Sequence, residues 1–153
     1  MNTMAKLVWD GLEFRKPAML RLVEPLSEEE MLWHPPNQGN SISWQLWHIA
    51  EVEDNWVRAL LHGEPKRYPF GCSVRIASPN QYPSKAEILE YFCEVREISR
   101  RRLEETTESD FERTVEDGHY GQLTVSQVWG GVITSFAWHA GQIAQTNRLL
   151  GRA

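Results

Sequence analysis

The sequence predicts an all-α protein, a four-helix bundle with long connections between the helices. Four long segments carry apolar residues at spacings of three and four, which is the period of an amphipathic helix. Start and stop signals bound these segments, and the chain contains no internal repeat. Four such helices bury their apolar faces against one another. A chain of 153 residues is long enough to bury a core, so we expect one domain, residues 1–153.

The first segment runs to Pro25, and Pro17 interrupts it. Proline removes a backbone donor and its ring clashes with the preceding turn, so we expect a kink or a break there. Ser27 then begins a short helix with an acidic first turn. The predicted buried face of the first segment is a set of residues spaced by three or four: Leu7, Gly11, Phe14, Ala18 and Leu22.

The second segment begins after the loop 37–40, with Ser41 or Ser43 as its cap. It ends at Gly63 and Pro65, because glycine favours helix ends and proline cannot continue a helix. Residues 64–83 are rich in Pro, Gly, Ser and Asn, which predicts a long loop. A connection of that length in a small domain is often functional.

The third and fourth segments each begin with a capping box. In this motif the side chain of a serine or threonine accepts a hydrogen bond from the backbone N–H of the residue three positions later. The side chain of that later residue, Glu or Gln, accepts one from the backbone N–H of the serine or threonine. The pairs are Ser84 with Glu87 and Thr124 with Gln127. Between the two segments, residues 114–116 and 122–124 each alternate polar and apolar side chains, and a glycine-containing turn separates them. They predict a short β-hairpin immediately before the last helix.

Composition limits the classes of function. The formal net charge is -5, and the one basic cluster, Arg100 to Arg102, is followed at once by Glu104 and Glu105. We therefore expect no nucleic-acid partner. Two cysteines far apart in sequence predict free thiols in a reducing compartment. The chain shows no signal-peptide pattern and no apolar run near the ~20 residues that a membrane span needs. We expect a cytoplasmic protein with no membrane partner.

Two histidines are the candidate functional residues. His48 and His139 each lie inside a long apolar helical pattern. A buried imidazole without a partner costs about 1–3 kcal/mol, so each histidine needs one. A divalent metal shared by the two helices would satisfy both, since neutral imidazole binds zinc, nickel, iron or copper well.

A catalytic metal site normally uses three protein ligands. The candidates for the third ligand are Glu51, Gln142, His119 and Ser135, although a hydroxyl is a poor ligand for these metals. A structural alternative needs no metal: His48 and His139 would form a hydrogen-bonded network with Gln142, Glu51 or each other.

The residues around both histidines resemble the DinB-like (DinB/YfiT) superfamily. The segment 40–53, with His48 followed by Ile49 and Ala50, is similar to the second helix of that family. The segment from His139 through Gly141 and Gln142 is similar to its last-helix signature. The resemblance covers essentially the whole chain in helix order.

The resemblance implies a four-helix bundle with a crossed connection, often a homodimer. It also implies a metal bound by one histidine of the second helix and two of the last. His48 and His139 match two of these positions, and Ser135 stands where the third histidine is expected.

The activities implied by the resemblance are those of metal-dependent thiol S-transferases, a thiol-dependent isomerase and hydrolases. We therefore expect an enzyme of the S-transferase or hydrolase class that acts on a small electrophilic molecule. It would use a divalent metal (zinc, nickel or iron) and, for S-transfer, a low-molecular-weight thiol. The alternative is a metal-free family member that binds a small ligand or serves as a dimeric scaffold.

Overall fold

The computed structural model describes residues 1–36, 39–76 and 78–152. Parts of the predicted loops 37–40 and 64–83 and the last residue of the expected domain lie outside the described residues. The described helices are α1 (Thr3–Phe14), α2 (Lys16–Val23), α3 (Glu28–Leu32), α4 (Ile42–Asp54), α5 (Lys85–Glu105) and α6 (Val125–Leu149). A π-helical segment, Asn55–Leu61, continues α4 directly.

The predicted four-helix bundle is confirmed. Helices α1 and α2 together form one of its four members, and α4, α5 and α6 form the others. Helix α4 is central, because it packs along both α5 and α6. None of the described helices combines the length and the apolar character that crossing a membrane requires. Both cysteines are free, as the sequence predicted.

The predicted helix boundaries are confirmed by their caps. The Ser41 side chain accepts a hydrogen bond from the backbone of Trp44 at the start of α4. Both predicted capping boxes form, at the starts of α5 and α6. The first segment breaks between α1 and α2, and Pro17 lies in the first turn of α2. Proline is tolerated there because the N–H groups in the first turn of a helix have no acceptor within the helix, so a missing N–H loses no hydrogen bond.

The predicted buried face of the first segment is wrong. Leu7 is 66% exposed and Phe14 is 75% exposed. The inward face is shifted by about one residue, which is about 100° around a helix. The buried residues are Ala5, Val8, Leu12, Met19 and Val23. Both faces have the same helical period, so periodicity alone does not choose between them. The packing of α1 against α5 and α6 selects the face that is buried.

The predicted hairpin is confirmed before the last helix. Strands β1 (Thr114–Asp117) and β2 (Gly121–Thr124) pair antiparallel, with Val115 opposite Leu123. Gly121 adopts a φ of 72°, which favours glycine at the end of the turn. The Asp117 side chain accepts hydrogen bonds from two backbone N–H groups within the turn, at 2.8 and 2.9 Å. Thr124, the last residue of β2, is also the N-cap of α6, so the hairpin leads directly into that helix.

A buried polar layer divides the core into two apolar clusters. Glu53 of α4 pairs with Arg96 of α5 at 3.0 Å and accepts a hydrogen bond from Ser99 at 2.6 Å. The Arg96 guanidinium also lies over the rings of Phe92 and Phe136, 5.2 and 4.8 Å from their centroids. The two charges and the aromatic faces compensate one another where water cannot enter.

The π-helical segment packs closely on α6 at a glycine. A Cβ atom added at Gly131 would lie 2.2 Å from Cζ3 of the Trp56 ring. The neighbouring Gly130 has open space around the same position. Glycine at position 131 therefore permits the close approach of Trp56.

We expect Gly131→Ala to lower the free energy of unfolding by about 1–3 kcal/mol, because the methyl group collides with the Trp56 ring. Gly130→Ala is the matched control and should raise it by about 1 kcal/mol, since alanine is the better helix former in open space. Urea denaturation of both variants measures the difference. Equal effects at the two positions would contradict this packing.

Candidate functional site

The structure brings the two candidate histidines together. His48 on α4 and His139 on α6 have ring centroids 5.1 Å apart, with their planes at 78°. Both rings are half-buried. The two residues are far apart in sequence, so it is the packing of α4 on α6 that creates the pair.

The spacing of the two rings fits a shared metal ion. A metal–nitrogen bond of about 2.1 Å places the metal about 3.2 Å from each ring centroid, and a tetrahedral angle then puts the centroids about 5 Å apart. The observed separation is 5.1 Å. In addition, the buried Nδ1 of His139 and the buried Oε1 of Gln142 make no hydrogen bond within the described residues.

Trp44 fixes the ring of His48 from one side. The two rings are stacked, with centroids 4.6 Å apart and planes 13° from parallel. The same indole makes an edge contact with His139, at 6.1 Å. Its Nε1–H donates a hydrogen bond to the backbone carbonyl of Ser73 at 3.0 Å. One residue of α4 therefore orients both imidazoles and holds the loop beside them.

A chain of hydrogen bonds connects His48 to Glu51 through the loop. His48 Nδ1 and Ser73 Oγ are 2.9 Å apart, and Ser73 Oγ donates to Glu51 Oε1 at 2.8 Å. The Ser73 backbone N–H donates to the other carboxylate oxygen at 2.9 Å. Cys72 Sγ lies 3.9 Å from Glu51 Oε1. Ser73 is only 1% exposed and Glu51 only 4% exposed, so the bond between these two residues is shielded from water.

Burial keeps both imidazoles neutral at neutral pH. Desolvation, followed by repulsion from His139, lowers the pKa of His48 from 6.5 to about 4. Desolvation also lowers the pKa of His139. Burial raises the pKa of the Glu51 carboxyl, while the hydrogen bonds from Ser73 oppose that rise. Neutral imidazole is the form that binds a metal.

The predicted third ligands do not complete a cluster. Throughout residues 1–36, 39–76 and 78–152, no group of three or more His, Cys, Asp or Glu side chains is arranged to hold a metal ion. Ser73 engages both carboxylate oxygens of Glu51. His119 is exposed in the hairpin turn, and Ser135 is half-buried on α6. Gln142 remains the candidate whose buried oxygen has no hydrogen bond within the described residues.

A cavity of about 470 Å³ has Glu51 in its wall. Its walls come from α4, the π-helical segment, the loop after it and the hairpin, and they include Glu51, Asn55, Trp56, Lys66 and Asp117. Its volume is that of a small-molecule site.

Sequence reasoning missed Ser73 and the orienting role of Trp44. Ser73 lies in the long loop that composition predicted, where one serine among several carries no distinguishing signal. Trp44, His48 and Glu51 are spaced by three and four residues along α4 and therefore share one face, and the structure brings the loop against that face.

These features define the class of protein: an all-α bundle in which the second long helix and the last helix bring two neutral histidines together. The sequence profile of the DinB superfamily matches residues 12–143, so the chain belongs to this superfamily. A search of curated proteins finds no match.

Two solved structures share the fold. A conserved protein from Enterococcus faecalis is 18% identical, with a TM-score of 0.81 over 99% of each chain. YfiT from Bacillus subtilis is 15% identical, with a TM-score of 0.73 over 100% of this chain and 91% of its own. YfiT is described as a probable metal-dependent hydrolase with an unusual four-helix bundle topology.

The lowered pKa of His48 predicts a loss of stability in acid. Between pH 6.5 and 4 the unfolded chain takes up a proton at this residue that the folded protein does not. The free energy of unfolding should therefore fall as the pH decreases through this range. For a partly exposed group we expect a loss of about 1–2 kcal/mol.

Chemical denaturation of the chelator-treated protein from pH 7.5 to 4 measures this loss, and the variant His48→Gln should lose less than the wild type. His119→Gln, which removes an exposed histidine, is the control. An equal acid dependence in the wild type and His48→Gln would contradict the buried neutral state.

Proposed function

We propose that this protein is a metal-dependent enzyme of the hydrolase class that acts on a small electrophilic molecule. His48 and His139 are the proposed protein ligands of a divalent metal, namely zinc, nickel or iron. The observation that carries the proposal is the 5.1 Å separation of two imidazoles that burial keeps neutral. The probable metal-dependent hydrolase activity stated for YfiT, a member of the same structural class, supports it.

When bound, a divalent metal would lower the pKa of a water molecule and polarise an electrophilic carbonyl or phosphoryl oxygen. The residues of this chain hold and orient the site. His48 and His139 supply nitrogen ligands, and Trp44 and Ser73 fix the His48 ring. Glu51 anchors Ser73. The 470 Å³ cavity beside Glu51 is the proposed place for the small-molecule substrate.

Three further expectations from the sequence remain predictions. They are the thiol S-transferase activity with its low-molecular-weight thiol, the cytoplasmic location and the homodimer. On α6, Trp138 is 67% exposed, and a second copy of the chain would cover such a side chain. Size-exclusion chromatography with light scattering tests the homodimer directly.

We expect untagged protein purified without chelator to carry about one zinc, nickel or iron ion per chain. His48→Ala and His139→Ala should each lose most of this metal, together with hydrolase activity. His119→Ala, which removes an exposed histidine, should keep both. Elemental analysis per chain is the first measurement. Wild-type protein that stays empty in excess metal salt, or full occupancy in both alanine variants, would overturn the proposal.

A metal-free family member is the second candidate function. It is favoured by Ser135 at the expected ligand position and by the lack of a three-ligand cluster among the described residues. In this case the protein would bind a small ligand or serve as a dimeric scaffold.

The substitution Ser135→His separates the two candidates. If the natural protein is a metal-free member, we expect it to bind neither zinc nor nickel, and Ser135→His to create binding by adding a third imidazole to α6. If the natural protein is an enzyme, we expect it to bind already, with Ser135→His raising the affinity about tenfold or more. Isothermal titration with both metals measures the affinities. Stoichiometric binding by the natural protein excludes the metal-free candidate.

A further inference from the structure

Ser73 joins a candidate metal ligand to a buried carboxylate. Its hydroxyl oxygen lies 2.9 Å from His48 Nδ1 and 2.8 Å from Glu51 Oε1. Its backbone N–H donates to Glu51 Oε2 at 2.9 Å. With Ser73 1% exposed and Glu51 4% exposed, bulk water does not supply alternative partners. The direction of each hydrogen bond must therefore be settled among these three residues.

Counting protons fixes that direction. An ionised carboxylate only accepts hydrogen bonds, and a serine hydroxyl has one hydrogen to donate. A hydrogen bond to a charged acceptor is the stronger choice, so the hydroxyl donates to Glu51. Ser73 Oγ can then only accept from His48. The imidazole must carry its hydrogen on Nδ1, which leaves the lone pair on Nε2.

Trp44 holds the same arrangement in place from a second direction. Its indole is stacked on the His48 ring at 4.6 Å and also donates a hydrogen bond to the Ser73 carbonyl at 3.0 Å. Tilting the His48 ring out of its plane would break the stacking contact, and a 180° flip of the ring would lose the bond from Nδ1. The ring plane and the proton position are therefore set by two residues that also contact each other.

We propose that Ser73 is a positioning residue that holds His48 in its Nδ1–H tautomer and so presents the Nε2 lone pair to a divalent metal. The metal part of this inference rests on the proposed function, whereas the tautomer does not. In metal sites, a ligand histidine commonly donates its other ring N–H to a neighbouring acceptor, and the loss of that acceptor weakens binding about 10–100-fold. Here the acceptor is a serine anchored by a glutamate.

The tautomer can be read directly in the chelator-treated protein at pH 7.5. Long-range ¹H–¹⁵N correlation spectra separate a protonated ring nitrogen from one with a lone pair, and the His48→Gln spectrum assigns the signals. We expect Nδ1–H in the wild type. Ser73→Ala should give a mixture of tautomers because the acceptor is lost, and Ser73→Thr should restore the wild-type pattern. An Nε2–H tautomer in the wild type would overturn the inference.

Glu51→Gln gives a sharper test at almost constant shape. The amide oxygen would accept from the Ser73 backbone, and the NH₂ group would donate to Ser73 Oγ. The buried hydroxyl hydrogen would then lose its acceptor unless it turned to His48 Nδ1. We expect the tautomer to invert to Nε2–H. The matched control is Ser99→Ala, which removes another fully buried serine that donates to a buried glutamate, Glu53 at 2.6 Å. It should leave the His48 signals unchanged. An unchanged tautomer in Glu51→Gln would also overturn the inference.

Titration with Zn²⁺ against a chromophoric chelator separates this inference from the proposed function. We expect Ser73→Ala to weaken zinc binding about 10–100-fold, with Ser73→Thr and Ser99→Ala close to the wild type. If no protein binds zinc but the tautomers follow the expected pattern, the positioning role stands and the metal-dependent function fails. If Ser73→Ala binds zinc as tightly as the wild type, the role of Ser73 toward a metal is refuted while the metal function stands.

Discussion

Helix α4 is buried over most of its surface and carries three buried carboxylates, each of which has partners on a neighbouring element. Glu51, Glu53 and Asp54 are each less than 5% exposed. A buried carboxylate is tolerated only with donors or an opposite charge beside it. Glu51 takes its donors from Ser73 in the long loop. On α5, Ser99 donates to Glu53, and Arg96 forms an ion pair with it. Asp54 takes its donors from an arginine of the loop and a tyrosine of α5. The three pairings fasten the loop and α5 to α4.

The Glu53–Arg96 pair lies between the two apolar clusters, at mid-height in the bundle. Removing one partner of such a buried pair costs about 3–5 kcal/mol, because the other charge is left uncompensated. The pair therefore favours one axial position of α4 relative to α5. It occupies the core face of α4, and the Glu51 face remains for the loop. One helix thus separates a stabilising ionic layer from the histidine site.

Within a shared fold, individual side chains decide what a site can bind. The chain belongs to the DinB superfamily, and its bundle superimposes on structures only 15–18% identical. Helix packing that is maintained in this way keeps positions on α4 and α6 opposite each other, whatever side chains occupy them. His48 and His139 occupy two such positions, and Ser135 occupies the place of an expected third histidine. Support for His48 comes from Trp44 on α4 and Ser73 in the loop, where sequence can vary without disturbing the bundle.

The sequence by itself determined the helices, their caps, the break near Pro17 and the hairpin, and it selected His48 and His139 as candidates, because these depend on short spacings and on residue type. Tertiary structure decided which face of α1 is buried, since Leu7 and Val8 lie on stripes of equal period and only packing against α5 and α6 distinguishes them. It also decided that Ser73 meets His48 across 25 residues of chain. No local rule specifies such a contact, because it depends on the long loop lying against α4, where Ser73 also binds the carboxylate of Glu51.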